Sequence, residues 1–304
     1  MKRKLIRQRD SLTVTLPKNW TDRFKLKGGE EIELDERDLN ILVKAPGVKE
    51  KKETTFEITK KTKQSMYKTL LNHIYRKGYD KITIKFFSPN ILPKIEGFVE
   101  KFYLGFAVVE KGKDYCIIEN IAEPSEEKFD ILIRRCFLII KEMAEMLYQG
   151  CEKGKFEQLE RLTEYCNNLD KFLFFCRRVV SKGFFSRGDS NLYWELLTNM
   201  MHVGRSYLSL GNYLSKQKKI TLHQSVLGLF KRSMYFNSLI YDAYYQKDIG
   251  KIGEMVDLKD KLLYGPVFQI IEKTTGLEAV VVYHIRQTSR LIYNTASPVL
   301  AMLL

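Results

Sequence analysis

The chain opens on a two-residue rhythm and ends on a helical one. Between residues 11 and 16, Leu12, Val14 and Leu16 alternate with Thr13 and Thr15. That is the pattern of a strand with one covered face and β-branched residues on the other. Pro17 then predicts the first turn of a short helix, where its missing N–H costs nothing. Trp20 and Phe24 fall on one face of it, and Gly28-Gly29 closes it. Two more strands are predicted at 31–35 and 40–43, joined by a polar turn at Arg37-Asp38. The order is strand, strand, short helix, strand, strand.

Residues 50–123 mix the two periods. A strand is predicted at 55–59, a helix at 63–77 ended by Gly78, and a strand at 81–87 in which Ile82, Ile84 and Phe86 alternate. A helix comes after Pro93, carrying Ile95, Phe98, Val99 and Phe102, and then a hairpin turns at Gly112-Lys113. This is a small α/β unit whose strand order the sequence leaves open.

From about residue 125 onward the rhythm is helical. Phe129, Leu132, Cys136, Ile140, Met143 and Leu147 recur at spacings of three and four, as do Leu159, Leu162, Cys166, Leu169, Leu173, Cys176 and Val180. Breaks near 150–155, 182–190, 217–221, 247–251 and 274–276 predict six long helices. The break after Tyr148-Gln149 resembles the one after Tyr245-Gln246, and Met201-His202-Val203 echoes Tyr283-His284-Ile285. This weak repeat predicts two related three-helix bundles. The expected fold is therefore multidomain and mainly α, with a β-rich domain at 1–48, a small α/β domain at 49–123 and a six-helix domain at 124–304.

Charge sharpens this picture. The chain carries a formal net charge of +14, so it should attract polyanions such as nucleic acid, anionic lipid or an acidic protein. Half of that excess sits in residues 1–27, where nine basic side chains face only Asp10 and Asp22. A cluster so local favours a specific polyanion site over a general solubility charge. More lysines crowd the adjoining linker (Lys49, Lys51, Lys52, Lys60, Lys61, Lys63), where a solvated connector is at least as good a reading. The first segment is also too short to bury a core of its own. Domains below about 40–60 residues usually need a disulfide, a metal or a partner chain. It has neither cysteine nor histidine, which leaves dimerisation.

Five cysteines in no close pairing (Cys116, Cys136, Cys151, Cys166, Cys176) fit a reducing, cytoplasmic setting. Neither a signal-peptide pattern nor an apolar run of membrane-spanning length is evident, so no membrane insertion is expected. The phosphate-loop, zinc-protease, nucleophile-elbow and dinucleotide-turn patterns are all missing, and no catalytic residue is assigned. Tyr235, Tyr241, Tyr244 and Tyr245 are spaced to pack a helical interface better than to stack bases.

The stretch from Asp10 through Lys18, with the Gly28-Gly29-Glu30-Glu31-Ile32 turn and strand, resembles the AbrB/MazE/SpoVT swapped-hairpin family. The resemblance implies two chains interleaving their hairpins into one small barrel whose basic face binds DNA. Lys2, Arg3, Lys4, Arg7, Arg9 and Lys18 would then contact phosphates, with Arg7 or Arg9 reaching base edges. Thr13 stands where AbrB-type members often place an arginine, so backbone contact is the firmer expectation.

The helical segment resembles the PhoU family of phosphate-uptake regulators, and the whole layout resembles archaeal fusions of an AbrB-type head to a PhoU-type body. The acidic, Leu-rich stretch of the second helix in each half corresponds to 167–172 and 257–262. The family often binds metal clusters through carboxylates four apart on the third helix of each half. Here those positions read Met201-His202-Val203-Gly204-Arg205 and Tyr283-His284-Ile285-Arg286-Gln287. Both acids are gone from both, so neither a metal cluster nor another cofactor is expected. His202 and His284 read as packed or surface histidines, and Asp257 with Asp260 as an exposed carboxylate pair. The chain supports two functional expectations. One is a dimeric, non-enzymatic, DNA-binding transcriptional regulator whose helical body senses a signal or docks a transporter or signalling protein. The other is a protein-interaction regulator of a phosphate transporter system that does not bind DNA.

Overall fold

The computed structural model describes the chain except residues 1, 38, 46–50, 123, 184, 186–189 and 218–221. It is mainly helical, with small sheets toward the N-terminus and helices toward the C-terminus. The chain divides into two compact units, 1–51 and 52–304.

The first unit contains two antiparallel hairpins around a short helix. Strands β1 (Ile6–Gln8) and β2 (Ser11–Thr13) pair with Arg7 opposite Leu12. The Ser11 hydroxyl donates to the Gln8 carbonyl at 3.0 Å and the Thr13 hydroxyl to that of Ile6 at 3.2 Å, pinning the register. β2 is shorter than its alternating pattern predicts, because among the described residues Val14 to Leu16 have no strand beside them. Helix α1 (Lys18–Arg23) begins directly after Pro17, and the Trp20 and Phe24 rings meet at 5.4 Å. Strands β3 (Glu33–Arg37) and β4 (Asn40–Lys44) form the second hairpin.

The second unit begins with a four-stranded sheet. Its elements run β5 (Glu53–Ile58), α2 (Gln64–Arg76), β6 (Lys81–Phe86), α3 (Leu92–Phe102), β7 (Phe106–Lys111) and β8 (Tyr115–Asn120). The strand order is β5-β6-β8-β7, with β5 and β6 parallel and the other pairs antiparallel. The alternation that marked β6 lands as expected, with Ile82, Ile84 and Phe86 all buried.

The remaining helices are α4 (Glu126–Lys153), α5 (Leu162–Ser181), α6 (Ser190–Leu214), α7 (Gln224–Gln246), α8 (Ile249–Leu263), α9 (Gly265–Lys273), α10 (Gly276–Asn294) and α11 (Ala296–Leu303). Capping sets their ends. The Ser125 hydroxyl accepts from the Lys128 amide at 3.3 Å, Gly154 ends α4 at φ 61°, and the Asp248 carboxylate accepts from the Gly250 amide at 2.8 Å. The six expected helices become eight because of proline. Pro266 cannot continue α8 and instead occupies the first turn of α9, as Pro298 does in α11. α4, α5 and α6 pack on one another, as do α7, α8 and α10, and the two sets meet along α6–α10 and α4–α7. Gly204 and Gly211 let α5 approach closely, since a Cβ at either would overlap Leu169 or Leu162.

Sheet and helices are joined by a buried ion cluster. The Arg178 guanidinium on α5, only 1% exposed, donates to Asp80 Oδ1 at 2.6 Å and to the Tyr79 and Tyr75 carbonyls at 2.6 and 3.2 Å. It also lies 4.7 Å over the Phe106 ring. Lys182 Nζ donates to Asp80 Oδ2 at 2.7 Å, and the Lys52 amide donates to the same oxygen at 3.1 Å.

Burial alone would raise the Asp80 pKa. The Lys182 and Lys52 hydrogen bonds, with the charges of Lys182 and Arg178, outweigh it and hold the carboxyl below its ordinary 3.8. A depressed carboxyl stabilises the fold above its unfolded-state value and loses that contribution as pH falls through the lower folded-state value. Asp80→Asn should therefore cost about 3 kcal/mol in urea unfolding at pH 7, because it strands the Arg178 cation. The difference from wild type should shrink only below pH 3.8. A substitution tolerated without loss at pH 7 would mean that Arg178 is satisfied without Asp80.

Candidate nucleic-acid interface

The six basic residues singled out in the sequence are all exposed on the first unit. Lys2, Arg3 and Lys4 lie on the segment entering β1. Arg7 sits within β1, directly across from Leu12 and so on the same hairpin face. Arg9 occupies the β1–β2 turn at φ 54°, in the left-handed region that non-glycine side chains rarely adopt. Lys18 is separated from this run by β2 and opens α1. Five cations thus lie along one short strand and its flanks, with Lys18 apart. Thr13, whose hydroxyl donates to the Ile6 carbonyl, is short and uncharged and cannot stand in for an arginine.

Among its described residues, the unit around these cations has no interior. None of its described side chains is buried, and Leu5, Ile6, Leu12, Val14, Leu34 and Ile41 are all at least half exposed. Leu12 and Ile41 each stand 63% open. In the linker, Lys49 lies outside the described residues, whereas Lys51, Lys52, Lys60, Lys61 and Lys63 are exposed.

In the second unit, the two stretches that carry the PhoU resemblance on α5 and α6 come together. Arg205 donates from Nη2 to Asp170 Oδ2 at 3.2 Å. His202 is exposed, while half-burial lowers the pKa of His284. Asp257 and Asp260 are exposed on α8. Among the described residues no group of three or more histidine, cysteine or acidic side chains could hold a metal ion. All five cysteines are buried, and burial pushes Cys116, Cys151 and Cys166 up to about 12, which keeps those thiols protonated and poor nucleophiles. Tyr241, Tyr244 and Tyr245 pack their rings 5.7–5.9 Å from Phe137, whereas Tyr235 is exposed and its hydroxyl donates to Glu254. Among the described residues no helix is long and apolar enough to cross a membrane.

Comparison with family models, curated proteins and solved structures gives no match.

Sequence reasoning passed over Arg76 and Arg177, two partly or fully buried arginines near the Asp170–Arg205 pair. The available signal was the seven-residue spacing of Asp170 and Arg177, which places both on one face of α5. The stronger apolar seam on the same helix masked it.

The strained backbone at Arg9 separates stability from binding. Arg9→Gly should stabilise the first unit by about 1 kcal/mol, since glycine adopts a positive φ without steric penalty. Thermal unfolding followed by Trp20 fluorescence in a Trp194→Phe background reads this, and a destabilised variant would contradict it.

Proposed function

We propose that this protein is a DNA-binding transcriptional regulator that acts as a dimer through residues 1–48. In this reading the helical body is a sensor or docking module. One observation carries the proposal: a run of exposed cations lies on a unit whose apolar side chains its own chain leaves uncovered.

A second copy of the same segment is the occupant that fits this surface. Val14 to Leu16 continue an alternating strand pattern with no neighbouring strand, and Leu12 and Ile41 lack cover. Pairing two copies gives such strands partners and removes apolar area from water, at roughly 25 cal/mol per Å². It also doubles the number of cations on one surface, which suits the regular phosphate spacing of duplex DNA. The resemblance to swapped-hairpin proteins supports the same reading, and the resemblance to phosphate-uptake regulators supports a sensing or docking role for α4 to α11. The Asp170–Arg205 ion pair, where that second family often has metal-binding carboxylates, fits a body whose task is not metal binding.

DNA affinity should fall linearly in log–log form with salt. Replacing Lys2, Arg3, Lys4, Arg7 and Arg9 with alanine should weaken binding to all sequences and flatten that slope by about one unit for each phosphate no longer neutralised. Fluorescence anisotropy on random and genomic duplexes measures both. Binding that is absent, or unchanged in the variant, would turn the assignment toward a protein partner.

A further inference from the structure

Arg76, Arg177 and Arg205 come from three different helices, α2, α5 and α6, of which α2 and α6 pack against α5, the helix that carries Asp170. Arg177 and Asp170 lie two turns apart on one face of α5, Arg76 ends α2, and Arg205 reaches over from α6. Arg205 hydrogen-bonds Asp170 Oδ2 at 3.2 Å, while Asp170 Oδ1 is buried and makes no hydrogen bond. Arg177 is 2% exposed. Its Nη2 donates to the Thr198 hydroxyl at 2.7 Å and its cation lies 5.2 Å over Trp194, yet its Nε is buried with no acceptor. Arg76 donates from Nε to the Asn72 carbonyl at 3.0 Å and leans over Phe174, which leaves the rest of its fork uncommitted to any carboxylate.

The charges do not balance. Among the described residues the charges of three arginines, Arg205, Arg177 and Arg76, act on the single carboxylate of Asp170. Burial first, and then Arg205, lower Arg76, while burial, Arg76 and Arg205 bring Arg177 down to about 10. His73 is lowered in the same way by burial, Arg76, Lys77 and Arg177. Asp170 is itself raised by burial, although Arg205, Arg177 and Arg76 all act to lower it. A fold does not gather buried like charges without cost. The cluster opens to solvent at Arg205, whose side chain is 51% exposed.

We propose that Arg76, Arg177 and Arg205 form a binding site for a small phosphoryl-type oxyanion, either inorganic phosphate or a phosphomonoester. Planar guanidinium forks match tetrahedral oxyanions through paired hydrogen bonds, and a dianion supplies the negative charge that Asp170 alone does not. The depth of Arg177 favours a small anion over a polymer backbone. The site lies where α2 of the α/β segment meets α5 and α6, so a bound anion would tie those three helices together. It is distinct from the cation run on the first unit and does not depend on the DNA reading.

The test is isothermal titration of the full-length protein with inorganic phosphate, and separately with glucose 6-phosphate, against chloride at matched ionic strength. Saturable binding of one anion per chain is expected, and the tighter of the two identifies the source. Arg205→Gln and Arg76→Gln, which spare the buried Arg177, should each weaken binding about tenfold, the loss of one charge-assisted hydrogen bond. The alanine variant at Lys2, Arg3, Lys4, Arg7 and Arg9 should bind phosphate as wild type does. The proposal is overturned if neither anion binds saturably up to about 10 mM, if both glutamine variants bind unchanged, or if binding is lost only in the alanine variant.

Discussion

Arg178 is the residue on which residues 52–304 depend. A guanidinium with 1% exposure would be strongly destabilising if left alone, so its surroundings are arranged to satisfy it. Asp80 stands at the entry to β6, the Tyr75 and Tyr79 carbonyls come from the turn that ends α2, and Lys182 closes the cluster from the end of α5. These partners, Lys182 aside, belong to the α/β segment and Arg178 to the helices, so satisfying the cation fixes one against the other. This accounts for one compact unit where two kinds of secondary structure meet. The arrangement also has a consequence one residue earlier. Side chains on a helix turn about 100° per residue, so with Arg178 directed at the sheet, Arg177 is directed toward α6. There it meets Thr198 and Trp194.

The first unit is built the opposite way. None of its described side chains is buried, and the hydrogen bonds of Ser11, Thr13 and Glu30 are short-range ones within hairpin and turn. An isolated two-stranded hairpin is marginal in water. On the proposed reading, a segment of two such hairpins and a six-residue helix gains its stability by association with a second copy. The same shortage of interior that calls for a second copy leaves its cations on the surface. On that reading, dimer formation and polyanion binding are two results of one composition.

Much of the fold is readable from residue order alone. The period-two alternation locates β6, the three-and-four spacing locates the seams of α4 and α5, and glycine and proline mark most boundaries. The hidden part is non-local. The β7–β8 hairpin is local and legible, but the rest of the order β5-β6-β8-β7 rests on the β5–β6 and β6–β8 pairings across tens of residues, which no local pattern encodes. Pro266 and Pro298 are visible, but whether a proline kinks a helix or starts a new one depends on the tertiary packing around it. The arginine cluster is hidden because Arg76, Arg177 and Arg205 are far apart in sequence and each reads locally as an ordinary helix-surface charge. The basic run at residues 2–9 is legible because it is contiguous.

The central claim is that two copies of residues 1–48 cover each other's apolar side chains and so present one basic surface. Sedimentation equilibrium of the full chain carrying Leu12→Asn tests it most directly. Leu12 is 63% exposed within one chain, so in a monomer the change should be nearly neutral. If the second copy covers Leu12, wild type sediments as a dimer and the variant dissociates at the same concentration. A wild-type monomer, or a variant as dimeric as wild type, would contradict the claim.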